Sequence, residues 1–329
     1  MLKKLTLKKI VGLSLVLTIC LSLLVLPLTG NAASIGTRVS LASTLPVVIN
    51  PDTVFEQPPA NFNPLTATPE ELQKYGFPAK PTNVKDAVNW EYAMEHAKQY
   101  VKPIQEPSLF RYGYLGDYFN GGTAGTLSWA GYVAPSVNNG NELYTETSAY
   151  WTQPSYVNNT WAGFWTGIGG ANNTTTIVQA GATSDANTYG GSSPYEFWME
   201  DHPNGAIYEA APVLNAGNEV YVYVEYIGNQ QSNVFFENVT TQKYTSVPLT
   251  TLYYDGSSVD YVNEETNYSN WGSVNFSNCD YALSNGTNGP FTNLNYYRYI
   301  SGAPGYTWAI PAYPPTSNGS FTINSILNG

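Results

Sequence analysis

The sequence predicts an all-β sandwich preceded by a helical pro-segment, and three observations carry that expectation. From about residue 120 the chain becomes short alternating apolar runs, such as Glu219-Val220-Tyr221-Val222-Tyr223-Val224-Glu225, Ser232 to Val239 and Gly272 to Phe276. A period of two is the signature of half-buried strands. Turn pairs separate these runs, at Asn139-Gly140, Gly217-Asn218 and Asp255-Gly256. No helix-length periodic segment occurs in the same region, and many short strands without helices between them pack as two layers of sheet.

The elements before that region read differently. Lys3, Lys4, Lys8 and Lys9 precede an apolar run from Ile10 to Leu28, and small residues follow at Gly30, Ala32 and Ala33. Residues 1–33 therefore read as a secretory signal, which predicts a secreted, extracellular protein with no membrane attachment after its removal. An uncleaved anchor is the alternative, because the apolar run is nearly long enough to span. Residues 34–68 are polar and Pro-rich, an extended lead-in. Thr68-Pro69-Glu70-Glu71 is a helix start, closed by Pro78 and Pro81. A longer helix is expected from Asp86 to Val101, with Val88, Tyr92, Ala93, His96, Ala97 and Val101 along one stripe. His96 on that stripe reads as packing rather than as a ligand. The domain plan is thus a signal at 1–33, a pro-region with a helical segment at 34–120, and a β-sandwich at 121–329.

Charge separates the two halves. Residues 1–120 carry eleven Lys+Arg and nine Asp+Glu, whereas residues 121–329 carry two and fifteen. Nothing in the sandwich could neutralise phosphates, so nucleic acid is excluded as a partner. With so few cations the domain gains almost no net charge when its carboxylates are protonated, which removes the self-repulsion that unfolds proteins in acid. An ordinary acidic secreted protein would keep more Lys. Cys20 leaves with the signal, so Cys279 is the one cysteine of the mature chain and no internal disulfide forms.

The same scarcity limits the chemistry. A nucleophile with a histidine base needs a His beside it, and the sandwich has only His202, in Glu200-Asp201-His202-Pro203, with no nucleophile elbow near. Zinc sites need several His or Cys ligands, which are missing, and no phosphate-cradling loop or EF-hand spacing is present. No metal or cofactor is called for. Carboxylate chemistry remains: paired carboxylates would suit a glycosidase or an aspartic peptidase, though no Asp-Thr-Gly or Asp-Ser-Gly motif is present, and a single Glu can activate water if a second group, such as a neutral amide, stabilises the oxyanion.

Several segments in order then resemble a known family. They are Ser128-Trp129-Ala130-Gly131-Tyr132, Tyr150-Trp151-Thr152-Gln153-Pro154, Trp165-Thr166-Gly167-Ile168-Gly169 and Val178-Gln179-Ala180-Gly181. Tyr195 to Pro203, Val259-Asp260-Tyr261-Val262-Asn263-Glu264 and Asn270 to Phe276 continue the series. Together they are similar to the glutamic peptidases, or eqolisins (family G1), and Thr68 to Leu72 with Tyr75 to Pro78 look like segments preceding the catalytic domain in bacterial relatives. The resemblance implies a two-sheet antiparallel, concanavalin-like sandwich, a secreted zymogen, and an acid-active, pepstatin-insensitive endopeptidase acting on polypeptides as a monomer.

It also implies a Gln/Glu dyad at Gln179 and Glu264, with substrate-binding positions at Trp165, Trp198, Asp185 and Glu200. Glu264 would take a proton from water and Gln179 would stabilise the oxyanion; an unperturbed Glu, with a pKa of about 4.3, keeps some base form in moderate acid. Gly169 stands where the family has Asp, a loss that Asp185 could make good. A one-residue slip would put Glu265 in place of Glu264, since alternate residues of a strand face opposite sides. Two readings of another kind stay open. Abundant Tyr, Trp and Asn suit a carbohydrate-binding, lectin-like sandwich, and an inactive adhesion module has the same texture. The helical segment 69–104 favours a peptidase, which could use it as an inhibitory pro-segment.

Overall fold

The computed structural model describes residues 55–107, 125–126, 128–155, 161–171, 176–184, 186, 190–265, 268, 270–303 and 306–328. The expected signal, most of the lead-in and the change of texture near residue 120 lie outside them. Among the described residues no helix is long and apolar enough to cross a membrane.

Helix α1 spans Pro69–Lys74 and starts as the sequence demands. Thr68 Oγ1 accepts the amide of Glu71 at 3.2 Å, and Glu71 returns the bond to the Thr68 amide at 2.8 Å. Helix α2 spans Val84–His96, shorter than the expected 86–101. Its buried stripe is Trp90, Ala93, Met94 and Ala97, while Val88 and Tyr92 are exposed. The chain leaves the helix because Gln99–Tyr100 forms strand β1, paired parallel to Lys243–Tyr244. That pairing removes Val101 from the stripe. His96 is half-buried, off the buried stripe, with its ring 4.4 Å from that of the exposed Tyr92.

The strands form two layers. Sheet A runs in the order β1, β12 (Lys243–Thr250), β11 (Gln231–Asn238), β10 (Glu219–Gly228), β5 (Tyr144–Thr152), β14 (Ser273–Leu283), β18 (Phe321–Asn328) and β17 (Tyr306–Pro311). The short β15 (Asn288–Pro290) also pairs with β14. Sheet B runs β2 (Gln105–Pro107), β9 (Ala206–Glu209), β8 (Tyr195–His202), β7 (Ile177–Ser184), β6 (Ala162–Gly169), β13 (Ser258–Glu265) and β4 (Trp129–Pro135). Strand β16 (Tyr297–Ala303) closes one side by pairing with both β4 and β17, and with the two-residue β3 (Gly125–Thr126). Pairing is antiparallel apart from β1 with β12 and β3 with β16.

Alternation along the strands sorts residues among three clusters. On β10, Val220, Val222 and Val224 enter the core between the sheets, together with Trp151, Phe164 and Tyr261. Tyr221 and Tyr223 point the other way, onto the outer face of sheet A, where Leu72, Phe77, Trp90 and Met94 cover them. Burying aromatic side chains of this kind contributes about 2 kcal/mol each. The Gly76 carbonyl accepts from Asn233 Nδ2 at 3.0 Å and Ser246 Oγ at 2.5 Å, fastening α1 to the same face. The third cluster, with Trp129, Trp165, Trp198 and Val262, lies on the outer face of sheet B. The helices are therefore built into the face of the sandwich opposite that cluster.

The seam under α2 is acidic. Asn89 Nδ2 donates to Asp280 at 2.9 Å, and burial, then the neighbouring Asp86 carboxyl, pushes Asp280 up to about 8. Burial raises Glu237 as well, and burial with mutual repulsion raises Glu146. Such groups are neutral in the folded chain and ionise once unfolded above their ordinary range of about 4. Folding therefore gains their full contribution below about pH 4 and loses it as pH rises toward 8. Tm followed by calorimetry is expected to be highest in acid and to fall by about 5–10 °C toward mild alkali, with a smaller fall in Asp280→Asn.

Candidate active site

Sheet B places its outward side chains in rows, because residues opposite each other in an antiparallel ladder face the same side. One row reads Asp260, Gly167, Gln179, Glu200 across β13, β6, β7 and β8. The next reads Val262, Trp165, Gly181, Trp198, and a third holds Glu264, Gly163, Thr183, Glu196. Gln179 and Glu264 thus stand on one face, two strands apart and four residues apart along the strands, with Trp165 in the row between.

Glycines open this surface. A Cβ on Gly167 would lie 2.9 Å from Gln179 Cβ, and one on Gly181 would lie 2.6 Å from Trp165 Cβ. Their absence lets the Gln179 side chain and the Trp165 ring lean across neighbouring strands. Trp165 meets Trp129 edge-on, with ring centroids 5.0 Å apart.

Gln179 is held from one side. Its Nε2 donates to Glu200 Oε2 at 2.8 Å, while its own Oε1 is buried without a hydrogen-bond partner. The other oxygen of Glu200 lies 3.1 Å from His202 Nδ1. Glu264 is 3 % exposed, which matters because burial, then the Glu200 carboxyl, pushes it up to about 8. The Trp129 and Trp165 side chains beside it act against that rise. In this state Glu264 is a carboxylic acid, well above the unperturbed value that the sequence alone suggests.

The register also separates the two adjacent glutamates. Glu265 points away from this face and accepts from Ser301 Oγ at 3.2 Å, so Glu264 is the one that shares the face of Gln179. Trp165, Trp198 and Glu200 come together around the two residues; Asp185 lies outside the described residues. Sequence reasoning missed three neighbours. Asp260 shares the row of Gln179 with only Gly167 between them, and burial raises its carboxyl well above the usual range. Asp255 stands where the Asp missing at position 169 left room: its Oδ1 is 2.8 Å from where a Gly169 Cβ would lie, and it accepts from Thr176 and Ser257. His202 is the third. Alternation along the strand already puts Asp260 on the face of Glu264, while only the register of the sheet sets it in the row of Gln179, and only the loop before β13 reveals Asp255.

Two carboxyl groups and an oriented amide on a tryptophan-lined sheet face suit acid/base hydrolysis of a polar bond. A match to the family model described as the Peptidase A4 family spans residues 127–303. The chain belongs to that family, the glutamic peptidases. Among solved structures it is similar to scytalido-glutamic peptidase with a transition state analog inhibitor, at 16% identity and a TM-score of 0.51, covering 60% of this chain and 98% of that one. The same enzyme with a peptide-based transition state analog gives 16% identity, a TM-score of 0.50 and the same coverage. Aspergilloglutamic peptidase from Aspergillus niger gives 21% identity over 50% of this chain and 99% of that one, with a TM-score of 0.40. At 16% identity the likeness to scytalido-glutamic peptidase shows a shared fold. No curated protein sequence matches the chain.

Family membership answers the carbohydrate-binding alternative, and the site agrees: Trp165 and Trp198 are buried rather than offered to solvent as stacking platforms. Gly167→Ala is expected to displace Gln179 and lower kcat about tenfold or more, since a shift of about 1 Å costs up to 10²-fold. The check is steady-state kinetics beside a melting curve that moves far less.

Proposed function

We propose that this chain is a secreted, acid-active glutamic endopeptidase in which Glu264 and Gln179 carry the reaction. The observation that supports this best is the shared face: a buried glutamate among indoles, and an amide fixed by Glu200 with its oxygen left free. Ionised Glu264 takes a proton from water as the water attacks the scissile carbonyl. Gln179 Nε2 has a second hydrogen besides the one given to Glu200, and donates it to the developing oxyanion. Protonated Glu264 then returns the proton to the leaving amine.

The raised Glu264 sets a condition on this sequence. While the site is dry the base form is present only above about pH 8. Water entering the cleft relieves the desolvation that causes the rise, and returns Glu264 toward about 4.3. The working form is therefore the hydrated one. The acid limb of kcat/KM is expected to report a pKa near 4; a limb near 8 would mean that the dry form is the one that works.

The domain plan carries over as part of the proposal, with a signal at 1–33, a pro-region at 34–120 and the catalytic sandwich from 121. The helices of the pro-region cover sheet A, away from Gln179 and Glu264, so in our reading they stabilise the sandwich and do not block the cleft. Cleavage near residue 120 is expected to leave the helical fragment docked: denaturing gels separate it, while gel filtration at about pH 4 keeps it with the sandwich. Loss of the fragment at that pH would count against this role.

Two substitutions test the dyad. Glu264→Gln is expected to lower kcat/KM on an unfolded protein substrate by about 10³-fold or more, and Gln179→Ala by about 10²–10³-fold, with the circular dichroism spectrum unchanged. Full activity in either folded variant refutes the assignment.

A further inference from the structure

His202 is the one histidine of residues 121–329 and stands in none of the roles above. Its side chain is nearly buried and its Nδ1 faces Glu200 Oε1 at 3.1 Å, while Glu200 Oε2 takes the Gln179 amide at 2.8 Å. Each oxygen of Glu200 thus has one partner, and the three side chains form a line from His202 through Glu200 to Gln179. We propose that His202 is a positioning residue: its Nδ1 holds Glu200 Oε1, leaves Oε2 to the Gln179 amide, and thereby keeps that amide turned for catalysis. The proposal rests on the reading of Gln179 as the oxyanion donor.

The argument is one of donors and acceptors. An ionised carboxylate only accepts, so Gln179 must present Nε2 to it and Oε1 to the other side. A protonated Glu200 carries an O–H, which can donate to Gln179 Oε1 and turn the amide over. The turn exchanges donor and acceptor, and the hydrogen meant for the oxyanion leaves its place. Glutamates protonate in the range where an acid peptidase works, unless a positive charge stands beside them. An Nδ1–H of His202 donated to Oε1 occupies that oxygen as an acceptor and leaves Oε2 to the amide.

Among the described residues, the titratable neighbours of the pair are carboxyls. Asp201, next in sequence, is raised to about 6 by burial and accepts from the Leu252 amide and Asn204. Asp255 lies along the row of His202 beyond Ile177 and Gly169. Glu264 and Asp260 face the pair from β13. The other two basic residues of the sandwich are elsewhere: Lys243 opens β12 on sheet A, and Arg298 donates to the Pro311 carbonyl. The family resemblance does not ask for a histidine at this position, so the pair is a property of this chain.

The experiment is a pH profile of kcat and KM for the full chain, His202→Gln and His202→Lys, assayed beside Gln179→Ala. His202→Gln is expected to lose about tenfold or more in kcat at about pH 3, with KM within about twofold, and to lose less as pH rises. His202→Lys places a cation there and is expected to recover much of the acid limb. An unchanged profile in His202→Gln overturns the proposal, and so does an equal loss at every pH with a lowered Tm, which is the mark of packing alone. If Gln179→Ala keeps full activity, the oxyanion reading fails and takes this one with it. If Gln179→Ala is dead while His202→Gln is normal, only the role of His202 falls.

Discussion

The structure is organised by one constraint: a domain that buries many carboxyl groups and has almost no cations to pair with them. Residues 121–329 hold fifteen Asp and Glu against Lys243 and Arg298. A buried carboxyl without a cation is tolerable when it is neutral or is supplied with neutral donors. The chain uses both routes. Asp280 lies under α2 with an Asn89 amide on it, Glu200 takes a glutamine and a histidine, and Glu264 sits among indoles. Asp280 and Glu264 are most comfortable when protons are abundant.

That constraint links stability and chemistry, which occupy opposite faces of the sandwich. On the outer face of sheet A, raised carboxyls lie beneath the helical segment, and acid holds that seam together. On the outer face of sheet B, the same desolvation raises Glu264 and keeps it neutral until the cleft takes up water. The two faces share the intervening core through alternation alone: on β13, Val259 and Tyr261 point inward while Asp260, Val262 and Glu264 point outward.

Much of this was legible in the sequence. The capping box at Thr68, the strands around Val220 to Val224, and the order of the segments from Trp129 to Phe276 all announced themselves through local pattern. The end of α2 did not, because a two-residue pairing of Gln99 with Lys243 across the chain overrides helical periodicity. The place of Glu264 relative to Glu265 needed only the alternation of a strand, but its raised pKa needed its neighbours. Asp260, Asp255 and the contact of His202 with Glu200 come from register and loop geometry, so no run of adjacent residues spelled them out. That the helical segment packs is visible in its pattern, and only the fold shows which face of the sandwich it covers.

The central claim is that one dry, cation-poor sheet face brings Gln179 and Glu264 to the same peptide bond. The most direct measurement is a crystal structure, grown in acid, of the chain with a peptide carrying a tetrahedral carbonyl mimic. The account predicts one oxygen of the mimic on Gln179 Nε2 and the other on the Glu264 carboxyl, with Trp165 against the peptide. A mimic bound on another face of the sandwich, or on this face without either side chain, would contradict it.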